Sequence, residues 1–244
     1  MSSPLQENEP RRIGWGTIAL AVVVLLCLGC LFVPSSWYVR GEISPSEQDA
    51  NQLRQVILAL RTYHEWKDTF PEATQARDGL PPSSWRVAIL PFLERPDLEQ
   101  AYRPTQSWNQ QTAIPLDRPA PEVYQSPFDD RRPDSPDASY VLVTGPETVF
   151  PYNRPPLAPE EISDGLLRTI ICLQLPNSDI HWLEPREETI DDVLQLFKNP
   201  GWRANQSGIN MAYADGHTVR IEPDIDLETL RAMLTAAGGE DIEY

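Results

Sequence analysis

One apolar stretch, residues 13–33, constrains this chain more than any other feature, because it contains no charged residue. At about 1.5 Å per residue, a helix of this length spans roughly 30 Å, the thickness of the hydrocarbon core of a bilayer. Polar, acidic and proline-rich sequence follows it. The pattern predicts a tail over residues 1–12, a transmembrane helix over 13–33, a linker over 34–43 and a folded domain over 44–244.

The charges next to the apolar run predict its orientation. Arg11 and Arg12 precede the run directly, whereas the first charges after it are mixed in sign. The positive-inside rule therefore places the N-terminus in the cytoplasm and residues 44–244 outside it, as a single-pass signal-anchor of the inner membrane. In an alternative interpretation, Leu28-Gly29-Cys30 resembles the end of a lipoprotein signal, and an acylated Cys30 would be the tether.

Charge and cysteine content limit the partners. The formal net charge is −16, so the domain repels phosphate backbones and we expect no nucleic acid partner. Cys172 is the one cysteine that follows the apolar run, and it lies in the apolar stretch 169–175. This setting predicts a buried structural thiol rather than a nucleophile.

Helix signals come first in the domain. Ser44-Pro45-Ser46-Glu47 combines a serine cap, a proline at the first helical position and a glutamate three residues on. Apolar residues then recur at helical spacing, which predicts an amphipathic helix of about six turns ending near residues 68–71. A second helical pattern over residues 83–93 is divided at Pro91, and Pro96 begins another. The proline-rich residues 107–136 are predicted to be a long surface loop.

Strand signals follow. Residues 140–144 and 169–175 are rich in β-branched side chains, and residues 209–214 are expected to pair with 217–222 across Asp215-Gly216. In the tight turn that this dipeptide favours, both central residues have positive φ. Asp226 is a cap for a final helix over residues 227–237. The fold class predicted is α+β, with a long helix packed on an antiparallel sheet and a C-terminal helix.

Several short motifs, in this order and spacing, make the chain similar to a known family. The pieces are residues 51–60 with Tyr63-His64 and Phe70-Pro71, Ser84-Trp85-Arg86-Val87, residues 90–94, Pro127-Phe128-Asp129, residues 140–146, residues 162–165 and Tyr213-Ala214-Asp215-Gly216. The chain resembles a bacterial family of prepilin-like, membrane-anchored proteins of unknown function, which itself looks like type IV pilins and type II secretion pseudopilins. The resemblance implies a pseudopilin-like domain in which an N-terminal helix continues along an antiparallel sheet.

The C-terminal signature of that family is a histidine, nine residues and Asp-Gly. It falls on Asn205, Asp215 and Gly216, so asparagine replaces the histidine here. Ser126 stands where the family commonly has a cysteine, which removes any thiol role at that position. The glutamate of the prepilin leader is also missing near the start of the apolar run.

No pattern in the sequence predicts catalysis, a cofactor or a metal. Asp215 with Asp164 or Asn205 has oxygen donors that suit calcium, but a hairpin turn already accounts for the Asp-Gly dipeptide. The three histidines share no ligand spacing. The aromatic residues of segment 182–202 have two interpretations, an exposed interaction surface or core packing.

We therefore expect a non-enzymatic, membrane-anchored, pseudopilin-like protein that serves as a structural or interaction component of a cell-envelope or secretion-type assembly. Its expected partners are the bilayer, through residues 13–33, and envelope proteins or further copies of itself. The alternative is an extracytoplasmic module that binds a ligand or glycan. An envelope hydrolase ranks last, because no carboxylate or histidine pair is suggested by spacing.

Overall fold

A computed structural model describes residues 43–76, 79–152, 154–205 and 207–238, without the side chains of 203–205. The predicted tail and transmembrane helix, residues 1–12 and 13–33, lie outside these ranges. Within these ranges, no helix is both long enough and apolar enough to cross a membrane.

The first helix, α1, spans Pro45–Lys67 and begins as predicted. The amide of Glu47 donates to Ser44 Oγ at 3.2 Å, and the amide of Ser44 donates to the Glu47 carboxylate at 3.1 Å. The helix ends where Asp68 takes a left-handed φ of 57°. Its inner face, which includes Leu53, Val56, Ile57 and Leu60, is fully buried. The amphipathic pattern was therefore correct.

Short elements follow α1. They are strands β1 (Thr74–Gln75) and β2 (Ser83–Ser84), helix α2 (Trp85–Ala88), a 3₁₀ turn at Leu90–Leu93 and helix α3 (Pro96–Ala101). The division of this helical segment before Pro91 confirms the prediction, because proline cannot donate the backbone hydrogen bond that a continuing helix needs. The small antiparallel pair of β1 and β2 was not predicted.

Residues 107–136 are irregular and in large part exposed, as predicted, but the segment also has buried residues that anchor it in the core. Short 3₁₀ turns at Trp108–Gln110 and Glu122–Tyr124 interrupt the segment, and Ile114 and Tyr124 are fully buried. Two buried glutamines provide hydrogen-bond donors for backbone carbonyls. The side-chain amide of Gln111 donates to three carbonyls within the segment and its flank, and that of Gln125 donates to two. These bonds allow an irregular segment to pack into the core.

The main sheet has five strands in the order β5-β3-β4-β6-β7. They are β3 (Tyr140–Thr144), β4 (Ile170–Gln174), β5 (Glu188–Thr189), β6 (Ile209–Tyr213) and β7 (Thr218–Ile221). The pairs β3–β4, β4–β6 and β6–β7 are antiparallel, whereas β5 runs parallel to β3. The predicted α+β class is confirmed, and the sheet is mixed rather than purely antiparallel.

Helices cover both faces of this sheet. Tyr140 and Leu142 of β3 join the cluster that contains the inner face of α1, whereas Val141 and Val143 join a second cluster. Successive strand residues point to opposite faces, so each buried strand contributes to both clusters. The second cluster includes side chains of α4 (Ile190–Lys198) and α6 (Leu227–Leu234).

Two helices of this second layer were missed by the sequence reading. Thr189 caps α4, since the amide of Asp192 donates to Thr189 Oγ1 at 3.1 Å. Helix α5 (Pro200–Asn205) follows α4 directly. Helix α6 starts after Asp226 as predicted, but it ends at Leu234, three residues early. Thr235 is extended, and the amide of Ala236 then donates to the carbonyl of Glu147 at 2.8 Å.

Candidate functional site

A buried polar cluster joins the start of α1 to the sheet, and we call it the helix–sheet joint. Its members are all largely shielded from solvent and come from five separate parts of the chain: Asp49, Gln52, Ser126, Tyr140, Gln174 and Asn210. Asp49 and Gln52 lie on the inner face of α1, and Tyr140 begins β3. A polar cluster this deep in the core is stable only when its members satisfy one another.

Asp49 is the centre of the joint and is completely buried. One carboxylate oxygen accepts from Ser126 Oγ at 2.5 Å and from Tyr140 Oη at 2.8 Å, and the other accepts from Asn210 Nδ2 at 2.6 Å. Gln174 closes the ring, because its Nε2 donates to Ser126 Oγ at 2.8 Å and its Oε1 accepts from the Asn210 amide at 2.9 Å. The first two turns of α1 are thereby fixed to three strands.

Burial raises the pKa of Asp49, while the hydrogen bonds from Ser126, Asn210 and Tyr140 act in the opposite direction. Burial, together with the neighbouring Asp49 carboxylate, raises the pKa of Tyr140 well above its ordinary value. All three donors around Asp49 are protein groups. Both oxygens of the carboxylate are thereby engaged in bonds that connect α1 to the rest of the fold.

A second polar cluster, which we call the edge-closing pair, consists of Arg86 and Glu187. The two side chains are 0% and 2% exposed, and their closest N–O distance is 2.7 Å. Arg86 Nη2 donates to the carbonyl of Tyr140 at 2.7 Å, and the Glu187 carboxylate accepts from the amide of Leu142 at 2.7 Å. These are backbone groups on the edge of β3 that a further strand would otherwise pair.

Glu187 has a complete set of donors. Trp85 Nε1 and Arg86 Nη1 each donate to Oε1 at 2.7 Å, and the Leu142 amide and Arg86 Nη2 approach Oε2. Burial raises the pKa of Glu187 to about 7, and the Arg86 guanidinium is the largest opposing influence. The filled coordination of both oxygens leaves no lone pair directed at a bound molecule.

The signature residues Asp215 and Gly216 lie in the turn between β6 and β7. The Gly216 amide donates to the carbonyl of Tyr213, and the Tyr213 amide donates to that of His217. Gly216 has a φ of 103°, but Asp215 is not among the residues with positive φ. The turn is therefore a three-residue loop with glycine in the left-handed position, instead of the two-residue turn that was predicted.

This turn is held against α1 by Arg61, whose Nη1 donates to the Asp215 carbonyl at 2.5 Å. Asn205 is the last residue of α5. The carboxylate of Asp215 accepts from the amide of His217, whereas that of Asp164 accepts from the amide of Gly238 at 2.7 Å. In the described ranges, no group of three histidine, cysteine or acidic side chains is arranged to hold a metal ion.

The remaining candidates are structural. Cys172 is completely buried, as predicted, and burial raises the pKa of its thiol. His181 is largely buried and contacts the Leu116 carbonyl and the Leu183 amide, and burial lowers its pKa. Trp182 is fully buried, and Trp202 packs on Phe197. Core packing is therefore the correct interpretation of these aromatic residues.

Sequence reasoning missed both polar clusters, although one signal was present. Asp49 lies four residues before Leu53 and therefore on the apolar face of α1. A charge on that face is a reason to expect a buried partner. Nothing near Glu187 in the sequence identifies its partners, because Arg86 and Leu142 are 101 and 45 residues away.

The described residues thus form an α+β domain whose two buried polar clusters are each saturated by protein groups. Residues 48–152 match a family model described as "Protein of unknown function (DUF1559)", a family typical of bacterial prepilin-like proteins. This segment contains Asp49 and Arg86, but it ends before Glu187 and before the signature positions Asn205, Asp215 and Gly216, whose role stays a prediction. Searches of curated proteins and of solved structures found no match.

Proposed function

We propose that this chain is a non-enzymatic, single-pass membrane protein of the cell envelope, and that its extracytoplasmic domain is a structural or interaction component of a secretion-type assembly, as in pseudopilins. The proposal rests mainly on the helix–sheet joint. Helix α1 begins at Pro45, directly after the predicted linker 34–43, and Asp49 fixes its first two turns to the sheet. A load that reaches the domain from a membrane anchor would pass through this joint.

The state of the buried reactive groups supports a non-enzymatic role. Asp49, Cys172 and Glu187 are the described acids and thiol for which burial is the main cause of a raised pKa and which are almost completely shielded from solvent. Both carboxylates already have protein donors on each oxygen. The thiol is protonated near neutral pH and inaccessible, so it is a poor nucleophile.

Membrane tethering and orientation are tested together on the full chain. Because Cys172 is buried, the reporter is a Leu167→Cys variant, at a side chain that is 66% exposed. We expect an intact mass that includes residues 13–33, and labelling by a membrane-impermeant maleimide from the extracytoplasmic side alone. Labelling from the cytoplasmic side, or recovery of the chain without membranes, would contradict the proposal. A mass that begins at an acylated Cys30 would replace the helix by a lipid tether.

The assembly role is tested by cross-linking in native membranes. Leu58 is 65% exposed on the outer side of α1, and a photoreactive residue there should give discrete adducts with a second copy or with an envelope protein. The matched position is Leu167, also exposed but outside α1. Equal, diffuse adducts from both positions would mean random collision and would argue against an assembly built on α1.

A further inference from the structure

We propose that an open groove around Tyr152 is a binding site for a neutral, linear oligosaccharide. The groove consists of two adjoining cavities of about 580 and 310 Å³. Both cavities are lined by Thr144, Tyr152 and Thr189, so these residues lie between them. We call the combined surface the Tyr152 groove. Its volume falls in the range of small-ligand sites.

Tyr152 is one of the few large hydrophobic side chains that the fold leaves exposed, with 60% of its surface accessible. Its hydroxyl lies 3.5 Å from the carbonyl of Thr144, which ties the ring to the end of β3. Phe150 and Pro185 provide apolar wall on one side of it. An exposed aromatic ring that is already tethered offers a flat apolar face at little entropic cost, and the C–H face of a pyranose ring is its natural complement.

Two charged groups in the lining of the groove, Glu72 and Arg154, have spare hydrogen-bonding capacity, unlike Asp49 and Glu187 in the two buried clusters. One carboxylate oxygen of Glu72 accepts from the Ala76 amide, and the other has no partner among the described residues. Arg154 forms no hydrogen bond or ion pair with the described part of the chain. Carboxylate and guanidinium groups both bind pairs of neighbouring hydroxyls, which is the arrangement on a sugar ring.

Charge argues for a neutral ligand. In the smaller cavity, Arg231 lies between Glu147 and Asp191, at 3.2 and 3.3 Å. The larger cavity combines Glu72 with Arg154. Each cavity therefore contains both acidic and basic groups, within a chain whose net charge is −16. A polyanion such as nucleic acid or teichoic acid would meet repulsion from the whole domain.

The shape of the Tyr152 groove favours an oligosaccharide over a single sugar. The two cavities lie on either side of Tyr152, and each has its own polar groups, so a ligand that crosses the ring can use both. This inference is independent of the membrane tether: the saccharide site would exist on the domain whether or not residues 13–33 cross a bilayer. Its failure would leave the proposed function untouched.

The test is a titration of the full chain in lauryldimethylamine oxide, a detergent without a sugar head group. The probes are β-1,4-linked tetramers of N-acetylglucosamine and of glucose, with binding measured by calorimetry and by saturation-transfer NMR. We expect saturable binding of at least one tetramer, and weaker binding of the corresponding monomer. Tyr152→Ala should weaken it about tenfold, which corresponds to about 1.4 kcal/mol. Tyr152→Phe keeps the aromatic face but loses the contact with the Thr144 carbonyl, so its affinity should lie between those of the unmodified chain and Tyr152→Ala.

Leu167→Ala is the matched control, since it removes an equally exposed apolar side chain outside the groove. Thermal unfolding of each variant shows whether it is folded. Absence of binding by both tetramers, or equal loss in Tyr152→Ala and Leu167→Ala, would overturn the proposal. Binding of a proline-rich decapeptide at Tyr152 in place of either tetramer would assign the groove to peptide and would equally overturn it.

Discussion

Replacing both members of the edge-closing pair by apolar residues should destabilise this protein, in contrast to the usual behaviour of buried ion pairs. Such pairs can often be exchanged for hydrophobic residues at no cost, because the exchange removes two desolvated charges together. Arg86 and Glu187 also pair with neighbours that would remain. The double variant Arg86→Met/Glu187→Leu would leave the Tyr140 carbonyl and the Leu142 amide without hydrogen-bond partners.

The magnitude follows from the groups left without a partner. Besides these two backbone groups, the indole nitrogen of Trp85 would lose Glu187 as its acceptor. Each buried polar group without a hydrogen-bond partner costs about 1–3 kcal/mol, so three such groups lower the free energy of unfolding by about 3 kcal/mol or more. The single variant Arg86→Met should lose about 3–5 kcal/mol, because it leaves a buried carboxylate without its counter-ion.

Urea unfolding followed by circular dichroism measures these differences. The control is Arg231→Met, since the pair of Arg231 with Glu147 is half exposed and should contribute less than about 1 kcal/mol. If Arg86→Met/Glu187→Leu unfolds within about 1 kcal/mol of the unmodified chain, the pair does not close the sheet edge. The single variant would then report only on an unpaired charge.

Three further predictions concern the joint, the turn and a surface ion pair. Asp49→Asn should lower the free energy of unfolding in urea by about 2–3 kcal/mol, because the new amide nitrogen would face protein donors. Glu65→Gln, on the exposed side of α1, is the control and should change it by less than about 0.5 kcal/mol. Equal effects of the two variants would contradict the helix–sheet joint. Gly216→Ala should lower the free energy of unfolding by about 1–2 kcal/mol, because an alanine is strained at a φ of +103°, and Gly201→Ala should lower it less. No loss of stability in Gly216→Ala would show that the turn does not require glycine at this position. Hydrogen bonding to Arg95 lowers the pKa of Asp97 to about 2. Because the unfolded chain has the ordinary pKa of about 4, the native state binds fewer protons between these two values. The stability of the protein should therefore fall as the pH drops from about 4 to 2. The difference between the unmodified chain and Asp97→Asn should shrink over that range, and a constant difference would show that this pair does not titrate with folding.

Local signals in the sequence predicted much of the fold. The Ser44 cap and proline placed the start of α1 correctly, because capping is decided by atoms within one turn. The strand over Tyr140–Thr144 was predicted to the residue, and the capped start of α6 was correct. The same logic should have found α4, since Thr189 and Asp192 form a capping box, but this local signal was overlooked.

Tertiary structure decided what these elements do. Asp49 lies 77 residues from Ser126 and 161 from Asn210, and Glu187 lies 101 residues from Arg86. No local pattern connects positions so far apart, because pairing of buried polar groups depends on which strands become neighbours. The sequence by itself determined where α1, β3 and α6 begin, because their caps and strand residues are local, and its apolar run at residues 13–33 predicts a membrane tether. Only the packed fold decided that Asp49 and Glu187 receive protein donors on both carboxylate oxygens and that Tyr152 is left exposed beside an open groove.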